Sequence, residues 1–348
     1  MRTIHIAILD TDVPVPTIYT TRGLYSTQFH ALLAAATTRL NQHSSSEEEK
    51  EIRIHTTAYD AVGGHLPSFS SLLTTPSHPP PNPKEEGAVN PLTIPISALL
   101  ITGSAASVYD PTLPWIPPLI DFLRTVYENY PRVKLFGSCF GHQLIAYSLL
   151  STSSATGAKK GNVRVERCPL GMEIGLARVT LSSGFVDAFP CLKGTKEWRV
   201  QMVHGDWVAS SLLSSEEGGG EGDALPAPWV NIGSTDQCPI QGLYAPGRVL
   251  SYQGHFEFDS VVNRETCVEF GRRLGWTEES LQQYVEAIGE VDGEGDDSKV
   301  AAEVVVRFLA GEDEPTEYLS PAEKAGLKEK LASTLSLIGQ LISWSTRT

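Results

Sequence analysis

The sequence predicts an α/β fold built on a doubly wound, mostly parallel sheet flanked by helices, with a helical extension at the C-terminus. Apolar stretches of strand length alternate with stretches of helical spacing through the first half of the chain. Apolar strands that alternate with helices form parallel sheets covered by helices. With 348 residues, 41% of them hydrophobic, the chain is long enough for one large domain or for a domain with an appendage.

The first half of the chain is expected to contain four strands and three helices. The expected strands are TIHIAILDTD, IRIHTTAYDA, ISALLITGS and RVKLFGS. The expected helices are TTRGLYSTQFHALLAAATTRL, PWIPPLIDFLRTVYENY and GHQLIAYSLLS. Proline lies near the start of the second helix, where a missing N–H costs little. Residues 66–95 are rich in Pro, Ser and Thr and are expected to form a long surface loop.

After residue 160 the pattern changes to shorter, partly antiparallel strands in VRVERCPLGMEIGLARVTL, EWRVQMVHGDWV and WVNIGSTDQCPIQGLYAPGRVLSYQG. Helices are expected again in DSVVNRETCVEFGRRLGW and EESLQQYVEAIGE, followed by the acidic break VDGEGDD. We therefore expect an α/β domain over residues 1–275 and a helical extension over residues 276–348.

The final segment of the chain is predicted to be an amphipathic helix. It opens at residues 320–323 with a capping box that has Pro at the first helical position. Apolar residues then mark one face: Leu327, Leu331, Leu335, Ile338 and Ile342. This face must be buried, either against the chain's own sheet or against a second copy or a partner protein, because an isolated helix of this length is marginal in water.

Composition argues against several classes of partner. The formal net charge is -14 and the pI about 5.1, so neither a nucleic acid nor an anionic membrane is an expected partner. No apolar stretch approaches the length needed to span a bilayer, and the N-terminus indicates a first strand instead of a signal peptide. Five single cysteines, an odd number, suggest free thiols in a reducing compartment. A cytoplasmic location is therefore predicted.

The segment LFGSCFGHQL places Cys139 where the fourth strand should turn sharply into a helix. Gly137 and Gly141 flank it as Gly-x-Cys-x-Gly, and their lack of side chains allows the tight turn of a nucleophile elbow. Such a turn displays the thiol at the carboxyl end of the sheet and at a helix N-terminus, which favours the thiolate. The pattern predicts a nucleophile, and the alternative is a structural cysteine in a glycine-rich turn.

A base for this nucleophile is present in SYQGHFEF. A cysteine nucleophile needs a base to take its proton, and the base needs an orienting partner. His255 and Glu257 supply both after a strand. Two motifs in the order Cys, His, Glu favour a catalytic triad over a partly buried histidine beside a surface glutamate.

Oxyanion donors are expected from the elbow and from LLITGSAASVYD. Acyl transfer needs hydrogen-bond donors aimed at the tetrahedral oxyanion. One donor is the backbone N–H of Phe140, directly after the nucleophile. The other comes from the turn of Gly103 and Ser104 at the tip of the third strand.

Together, GSCFGHQ, QGHFEF and LITGSAASVYD resemble the three signatures of the class I glutamine amidotransferase domain of the triad type. The resemblance covers residues 3–275, and CPLGMEIG and MVHGDWV resemble further segments of free-standing members. It implies that Cys139 is the nucleophile, His255 the base and Glu257 the residue that orients the base.

The resemblance also concerns the substrate pocket. It implies that Gln143 and the backbone after Glu173 contact the α-amino and α-carboxylate ends of a glutamyl substrate. The chain departs from the family pattern where members often carry Gly-Gly-Pro, because it has Gly103, Ser104 and Ala105 there. It also has Phe256 where members often carry Pro.

The activity implied is that of a cysteine-nucleophile amide hydrolase acting on the γ-glutamyl amide of glutamine. Ammonia is then released or passed to a separate protein partner. This half-reaction requires no cofactor, and the chain has no GxxxxGK[ST] phosphate loop. Two alternatives are a γ-glutamyl peptidase acting on glutathione-like compounds and a non-catalytic, amidotransferase-like binding subunit. The expected partner is a small-molecule substrate, and homo-oligomerisation is left open.

A metal site is the alternative interpretation of the histidines. Cys139, His142, His204 and His255 would have to meet in a tetrahedral arrangement to bind zinc. The elbow already accounts for the cysteine and for His255, so no metal is predicted. His204 is either a second base or a pocket-lining residue together with Asp206, and we expect a structural or substrate-positioning role for it.

Overall fold

The described part of this computed structural model comprises residues 2–43, 51–74, 92–151, 162–211, 225–289 and 295–313. Its strands are β1 (Arg2–Asp10), β2 (Ile52–Asp60), β3 (Ala98–Ile101), β4 (Lys134–Ser138), β5 (Val163–Arg167), β6 (Glu173–Leu181), β7 (Glu197–His204), β8 (Asp206–Ser210), β9 (Val230–Asn231), β10 (Gly233–Ser234), β11 (Gly242–Ala245) and β12 (Val249–Tyr252). Its helices are α1 (Pro16–Arg22), α2 (Tyr25–His43), α3 (Ile116–Asn129), α4 (Phe140–Leu149), α5 (Ser183–Ala188), α6 (Ser260–Leu274), α7 (Glu278–Ile288) and α8 (Ser298–Leu309).

A seven-stranded sheet in the order β2-β1-β3-β4-β12-β11-β9 forms the centre of the fold. The first five strands of this order are mutually parallel, and β11 and β9 are antiparallel to their neighbours. This arrangement confirms the predicted fold class. The four strands predicted in the first half of the chain are all present, and all of them lie in this sheet.

Helices cover both faces of the sheet, which explains why its strands are apolar on both sides. In β1, Ile4, Ile6 and Ile8 face one hydrophobic layer, and Ala7 and Leu9 face the other. The first layer includes α2, α8 and residues of β6 and β7. The second layer includes α3 and α4.

The strands after residue 160 are largely antiparallel, as predicted. β6 pairs with β7 and with β10, and β5 pairs with β8, all in antiparallel register. The β6–β7 pairing aligns Glu173 with His204. An isolated bridge between Gln201 of β7 and His255 places the MVHGDWV segment beside the end of the central sheet.

Two helices differ from the sequence-based expectation. The first predicted helix is split, because α1 ends before Gly23, whose φ of 74° lies in the left-handed region, and α2 begins at Tyr25. Helix α8 lies in the predicted helical extension but was not predicted as a separate helix. Its run of Val304, Val305 and Val306 is typical of strands, but all three are buried and the helix packs on α2.

The predicted helical extension begins with α7, which packs on β6 and α6, and continues with α8. The amphipathic C-terminal helix lies in residues 314–348, outside the described residues, as does most of the predicted loop at 66–95. The division into residues 1–275 and 276–348 therefore stays a prediction. In the ranges described, no helix has both the length and the apolar character needed to cross a membrane.

Candidate active site

The candidate active site lies at the carboxyl edge of the central parallel strands. β3, β4 and β12 are parallel neighbours. Gly103, Cys139 and His255 follow the ends of these three strands within a few residues. Open α/β sheets bind ligands outside the carboxyl ends of their strands. The sheet thus brings together three segments that are far apart in the sequence.

Cys139 stands in a sharp turn between β4 and α4. Its φ is 49°, and among the described residues it is the only non-glycine with a positive φ, a strained conformation. Its N–H donates to the carbonyl of Tyr252 at 2.8 Å. An added Cβ on Gly137 would overlap the backbone of Gly141, and one on Gly141 would overlap the carbonyl of Ile101. The turn therefore requires both glycines of the predicted elbow.

His255 lies close to Cys139, and Glu257 orients its imidazole. Nδ1 of His255 is 2.8 Å from Oε1 of Glu257, and the two side chains are 5% and 1% exposed. The ring stacks on Phe258, with the centroids 4.1 Å apart. An added Cβ on Gly103 would stand 3.0 Å from Cε1 of His255 and 3.6 Å from Cβ of Cys139. Gly103 thus borders both members of the nucleophile–base pair.

The charges of this cluster favour a protonated imidazole. Burial lowers the pKa of His255, but the charges of Glu257 and Cys139 outweigh burial and raise it to about 10. A buried imidazolium beside Cys139 has a proton available for a leaving group. The arrangement has the nucleophile, base and orienting acid that acyl transfer requires.

Two residues that the sequence analysis did not single out complete the polar surroundings. The hydroxyl of Ser138 donates to the carboxylate of Glu257, at 3.0 Å from Oε1 and 3.2 Å from Oε2. Nε2 of Gln253 lies 3.6 Å from Sγ of Cys139, and its Oε1 accepts a hydrogen bond from Nε2 of Gln143 at 3.1 Å. Ser138 and Gln253 both lie inside the motifs quoted above, so the sequence placed them near the site even though their roles were not predicted.

Both predicted oxyanion donors lie close to the nucleophile. Phe140 follows Cys139 as the first residue of α4, and Ser104 lines a cavity together with Cys139. Neither of the two backbone N–H groups donates to an acceptor in the part of the chain that the structure describes. Backbone donors beside a nucleophile can receive the charge of a tetrahedral oxyanion.

Cys139 borders two cavities. The larger has a volume of about 230 Å³, and its polar lining includes Gln143, Arg167, Asp206 and Arg273. The smaller has a volume of about 50 Å³ and is bordered by His255. The nucleophile therefore faces a space large enough for a small molecule, with groups of both charges around it.

The two predicted substrate contacts have different positions. Gln143 lines the larger cavity, and its Nε2 donates to the carbonyl of Asp206 at 2.9 Å. Glu173 is not among the residues that line either cavity. Its carboxylate accepts hydrogen bonds from Nε2 of His204 at 2.8 Å and from the hydroxyl of Thr235 at 2.6 Å. A contact through the backbone after Glu173 stays a prediction.

Glu173 supports His204 from behind the cavity. Burial raises the pKa of the Glu173 carboxyl, but the hydrogen bonds and charge around it hold the pKa below its usual value. Nδ1 of His204 faces the carbonyl of Asp206 at 3.0 Å, so each ring nitrogen has an acceptor. His204 lines the cavity beside Asp206, as expected.

The zinc alternative requires Cys139, His142, His204 and His255, but the metal-capable side chains that the structure groups together are different ones. Over the described ranges, the one group of three such side chains with donor atoms within 4.8 Å of one another is Glu173, His204 and Cys238. The hydrogen bonds of Glu173 and His204 account for their donor atoms, and the thiol of Cys238 donates to the carbonyl of Ile240 at 3.4 Å. Burial raises the pKa of this thiol, which opposes the thiolate a metal needs. We assign the group to the hydrogen-bonded support of the cavity.

His142 is also part of the core instead of a ligand. It is fully buried, and its Nδ1 lies 2.9 Å from the hydroxyl of Ser251 in β12. Burial, together with the charge of His204, lowers the pKa of His142 to about 3. A neutral imidazole here joins α4 to the strand that leads to His255.

Two known proteins are similar to this chain in sequence. No protein-family model matches the chain. A protein of Schizosaccharomyces pombe, provisionally named a glutamine amidotransferase-like protein, is 29% identical over 306 residues, which are 88% of this chain and 98% of the relative. A protein of Saccharomyces cerevisiae, provisionally named a glutamine amidotransferase, is 32% identical over 200 residues, 57% of this chain and 66% of the relative.

A crystal structure of a glutamine amidotransferase from Thermotoga maritima has the same fold. It covers 89% of this chain and 97% of its own, with a TM-score of 0.51 and 14% sequence identity. The parallel sheet with a cysteine at a strand-to-helix elbow defines an amidotransferase-like α/β protein. With the Schizosaccharomyces pombe relative matched over 88% of its length, the chain belongs to the class I glutamine amidotransferase-like family.

Proposed function

We propose that the protein hydrolyses the γ-glutamyl amide of glutamine, with Cys139 as nucleophile, His255 as base and acid, and Glu257 as the group that orients His255. The observation that carries the proposal is the meeting of these three side chains at one sheet edge. His255 and Glu257 are joined at 2.8 Å and nearly excluded from solvent. Gly103 borders both His255 and Cys139.

The proposed reaction has two steps. With the proton of the Cys139 thiol transferred to His255, Sγ attacks the amide carbon, a C–S bond forms, and the carbonyl electron pair moves to the oxygen, whose charge the N–H groups of Ser104 and Phe140 stabilise. When the C=O bond re-forms, the C–N bond breaks and the amine takes the proton of His255. The neutral imidazole then takes a proton from water, whose oxygen attacks the acyl carbon; the C–S bond breaks, glutamate is released, and Cys139 and His255 return to their starting state.

The lining of the larger cavity favours the binding of a glutamyl substrate. Its lining includes the carboxylate of Asp206, which accepts hydrogen bonds from the hydroxyls of Ser107 and Tyr109, and the amide of Gln143. We propose that these polar groups bind the charged α-amino and α-carboxylate end of the substrate. An amino acid has both charges on one carbon, which suits a cavity with groups of both signs.

A γ-glutamyl peptidase is the second candidate. Arg167 and Arg273 both line the larger cavity, and Arg273 is half exposed beside Glu269, with Nε 2.7 Å from Oε1. A peptide on the leaving side of the amide would add a carboxylate that a guanidinium can bind. This candidate uses the same three residues and differs only in what leaves.

Release of glutamate tests the proposal. Purified wild-type protein and Cys139→Ala would be incubated separately with glutamine, glutathione and a γ-glutamyl dipeptide, and glutamate measured. We expect the wild type to release glutamate from glutamine and Cys139→Ala to release none. Release from the peptides alone would support the peptidase, and release from none would favour the non-catalytic binding subunit.

The fate of the nitrogen is a second proposal. Ammonia released to solvent makes the protein a glutaminase, and ammonia passed to a separate acceptor protein makes it an amidotransferase subunit. Both share the half-reaction above. Faster glutamine hydrolysis on addition of a cytosolic extract depleted of small molecules, after subtraction of the rate of the same extract with Cys139→Ala, would indicate an acceptor partner.

A further inference from the structure

The turn after β3, which carries Ser104, is held by the residues that follow β1. Oδ2 of Asp12 accepts a hydrogen bond from the backbone N–H of Ala105 at 2.8 Å and from the hydroxyl of Ser104 at 3.2 Å. Oδ1 of Asp12 accepts from the N–H of Val13 at 2.8 Å. This last bond fixes the carboxylate itself. Asp12 thereby joins the ends of two neighbouring parallel strands.

The preceding peptide group of the turn is held by Thr11. Its hydroxyl lies 3.1 Å from the carbonyl oxygen of Gly103, and the hydroxyl of Thr102 lies 3.3 Å from the same oxygen. Thr11 is also tied to Thr102 through its own N–H, at 3.0 Å. Both threonines are buried. The carbonyl of Gly103 is therefore turned towards buried hydroxyl groups.

These contacts determine where the N–H of Ser104 points. A trans peptide is planar, so its C=O and N–H point in opposite directions. Holding the carbonyl of Gly103 towards Thr11 turns the N–H of Ser104 the other way. Holding the N–H of Ala105 on Asp12 fixes the next peptide plane. The backbone on both sides of Ser104 is thus set, and in the described ranges its N–H donates to no acceptor.

We infer that Asp12 is a positioning residue for acyl transfer at Cys139, because its carboxylate holds the turn that aims the N–H of Ser104 at the oxyanion. The inference rests on the proposed function. Asp12 acts through the turn, since its two carboxylate oxygens are already engaged by Ser104, Ala105 and Val13. A donor fixed before the reaction needs no reorganisation as the charge develops.

The proposed positioning role of Asp12 does not depend on its negative charge. The negative charge of Asp12 acts on groups in the site. Burial raises the pKa of Tyr25 most, and the charge of Asp12 raises it further. A carboxylate charge beside a developing oxyanion opposes it. An asparagine at this position keeps an oxygen for the N–H of Ala105 and removes the charge. Asp12→Asn should therefore preserve the function that Asp12→Ala removes.

Two reactions of Cys139 separate an effect on the oxyanion from an effect on the thiol. Acylation by p-nitrophenyl acetate passes through a tetrahedral oxyanion whatever the natural substrate is. Alkylation by iodoacetamide is a displacement at carbon, in which no oxyanion forms. Both rates would be measured on the full-length protein by stopped-flow absorbance and by mass spectrometry, with the background of Cys139→Ala subtracted.

We expect Asp12→Ala to slow acylation by up to about 10²-fold, the loss typical of one oxyanion donor, and to leave alkylation unchanged. Asp12→Asn should acylate at least as fast as the wild type. Asp60→Ala is the matched control. Asp60 likewise accepts a hydrogen bond from a turn N–H, that of Gly63 at 2.8 Å, in the turn after the adjacent strand β2. It should change neither rate.

Wild-type acylation by Asp12→Ala would overturn the inference, and so would an equal loss of both reactions. If Asp12→Ala has a lower melting temperature, Asp12→Ser, whose short side chain cannot bridge the turn, gives the same comparison. The proposed function fails separately, if the wild type acylates with the ester but releases no glutamate from any γ-glutamyl compound.

Discussion

Ser138 and Glu257 are 119 residues apart in the chain, yet the hydroxyl of Ser138 lies 3.0 Å and 3.2 Å from the two carboxylate oxygens of Glu257. Ser138 is the last residue of β4 and precedes the nucleophile. One residue of the elbow thus holds the acid that orients His255. The nucleophile turn and the histidine segment are joined independently of Cys139.

Ser138→Ala tests this connection. The buried Glu257 carboxylate would lose a hydrogen bond, so we expect the free energy of unfolding to fall by about 1–3 kcal/mol. We also expect kcat to fall with little change in KM, because the imidazole is held less firmly. Ser148→Ala is the matched control, since its hydroxyl is buried without a partner among the described residues. Equal effects of the two variants in urea unfolding would contradict the prediction.

His255→Ala should lower glutamine hydrolysis by about 10²–10⁴-fold, the contribution of a general acid–base group. Combining it with Cys139→Ala should cost little more than either change alone, because nucleophile and base act as a unit. His204→Ala should retain more activity, since His204 bonds Glu173 and lines the cavity without touching Glu257. An inactive His204→Ala beside an active His255→Ala would reassign the base.

Glu257→Gln should shift the alkaline limb of the pH–rate profile to lower pH. The charge of Glu257 helps to raise the pKa of His255, and glutamine has no charge. The imidazole then loses its proton at a lower pH, and the leaving amine has no acid above that point. The loss of rate at neutral pH should be smaller than in His255→Ala, because an amide oxygen can still hold the ring. An unshifted limb would show that another group controls it.

The protonated His255 also predicts a pH dependence of stability. Its pKa is about 10 in the folded protein and 6.5 in an ordinary setting, so the unfolded chain releases this proton first as pH rises. The stabilisation is fully present below pH 6.5 and is lost as pH rises through about 10. Urea unfolding across this range should show a steeper decline for the wild type than for His255→Gln. Parallel curves would mean that the imidazole contributes nothing to this decline.

Gly141→Ala should destabilise the elbow. The added methyl group would overlap the carbonyl of Ile101, a backbone atom that cannot move aside, and overpacking of this kind costs about 1–3 kcal/mol. Gly184→Ala in α5 is the control, because the nearest atom is a side-chain methyl of Val230 at 3.2 Å and alanine favours a helix. Thermal unfolding would check both, and an unchanged melting temperature for Gly141→Ala would argue against the tight turn.

Much of the fold was predictable because strands and helices are signalled by local pattern. The apolar runs that end at Ile101 and Ser138 were predicted as strands and are β3 and β4. The elbow at Cys139 was predictable for the same reason, since glycine spacing and a strand-to-helix change are local features. The bounds of α8 were not predictable, because the apolar run Val304–Val306 has no clear period and the packing of α8 on α2 determines its conformation.

The relations between distant segments were decided by the tertiary structure. The parallel pairing of β4 with β12 aligns Ser138 with Tyr252 and so brings the histidine segment to the nucleophile. The pairing of β6 with β7 aligns Glu173 with His204, and of these two residues only His204 lines the cavity. The sequence by itself determined which residues could act as nucleophile, base and acid, through local motifs. That Ser138 holds the acid and that Asp12 holds the turn of Ser104 depends on strand order and register, which no local period encodes.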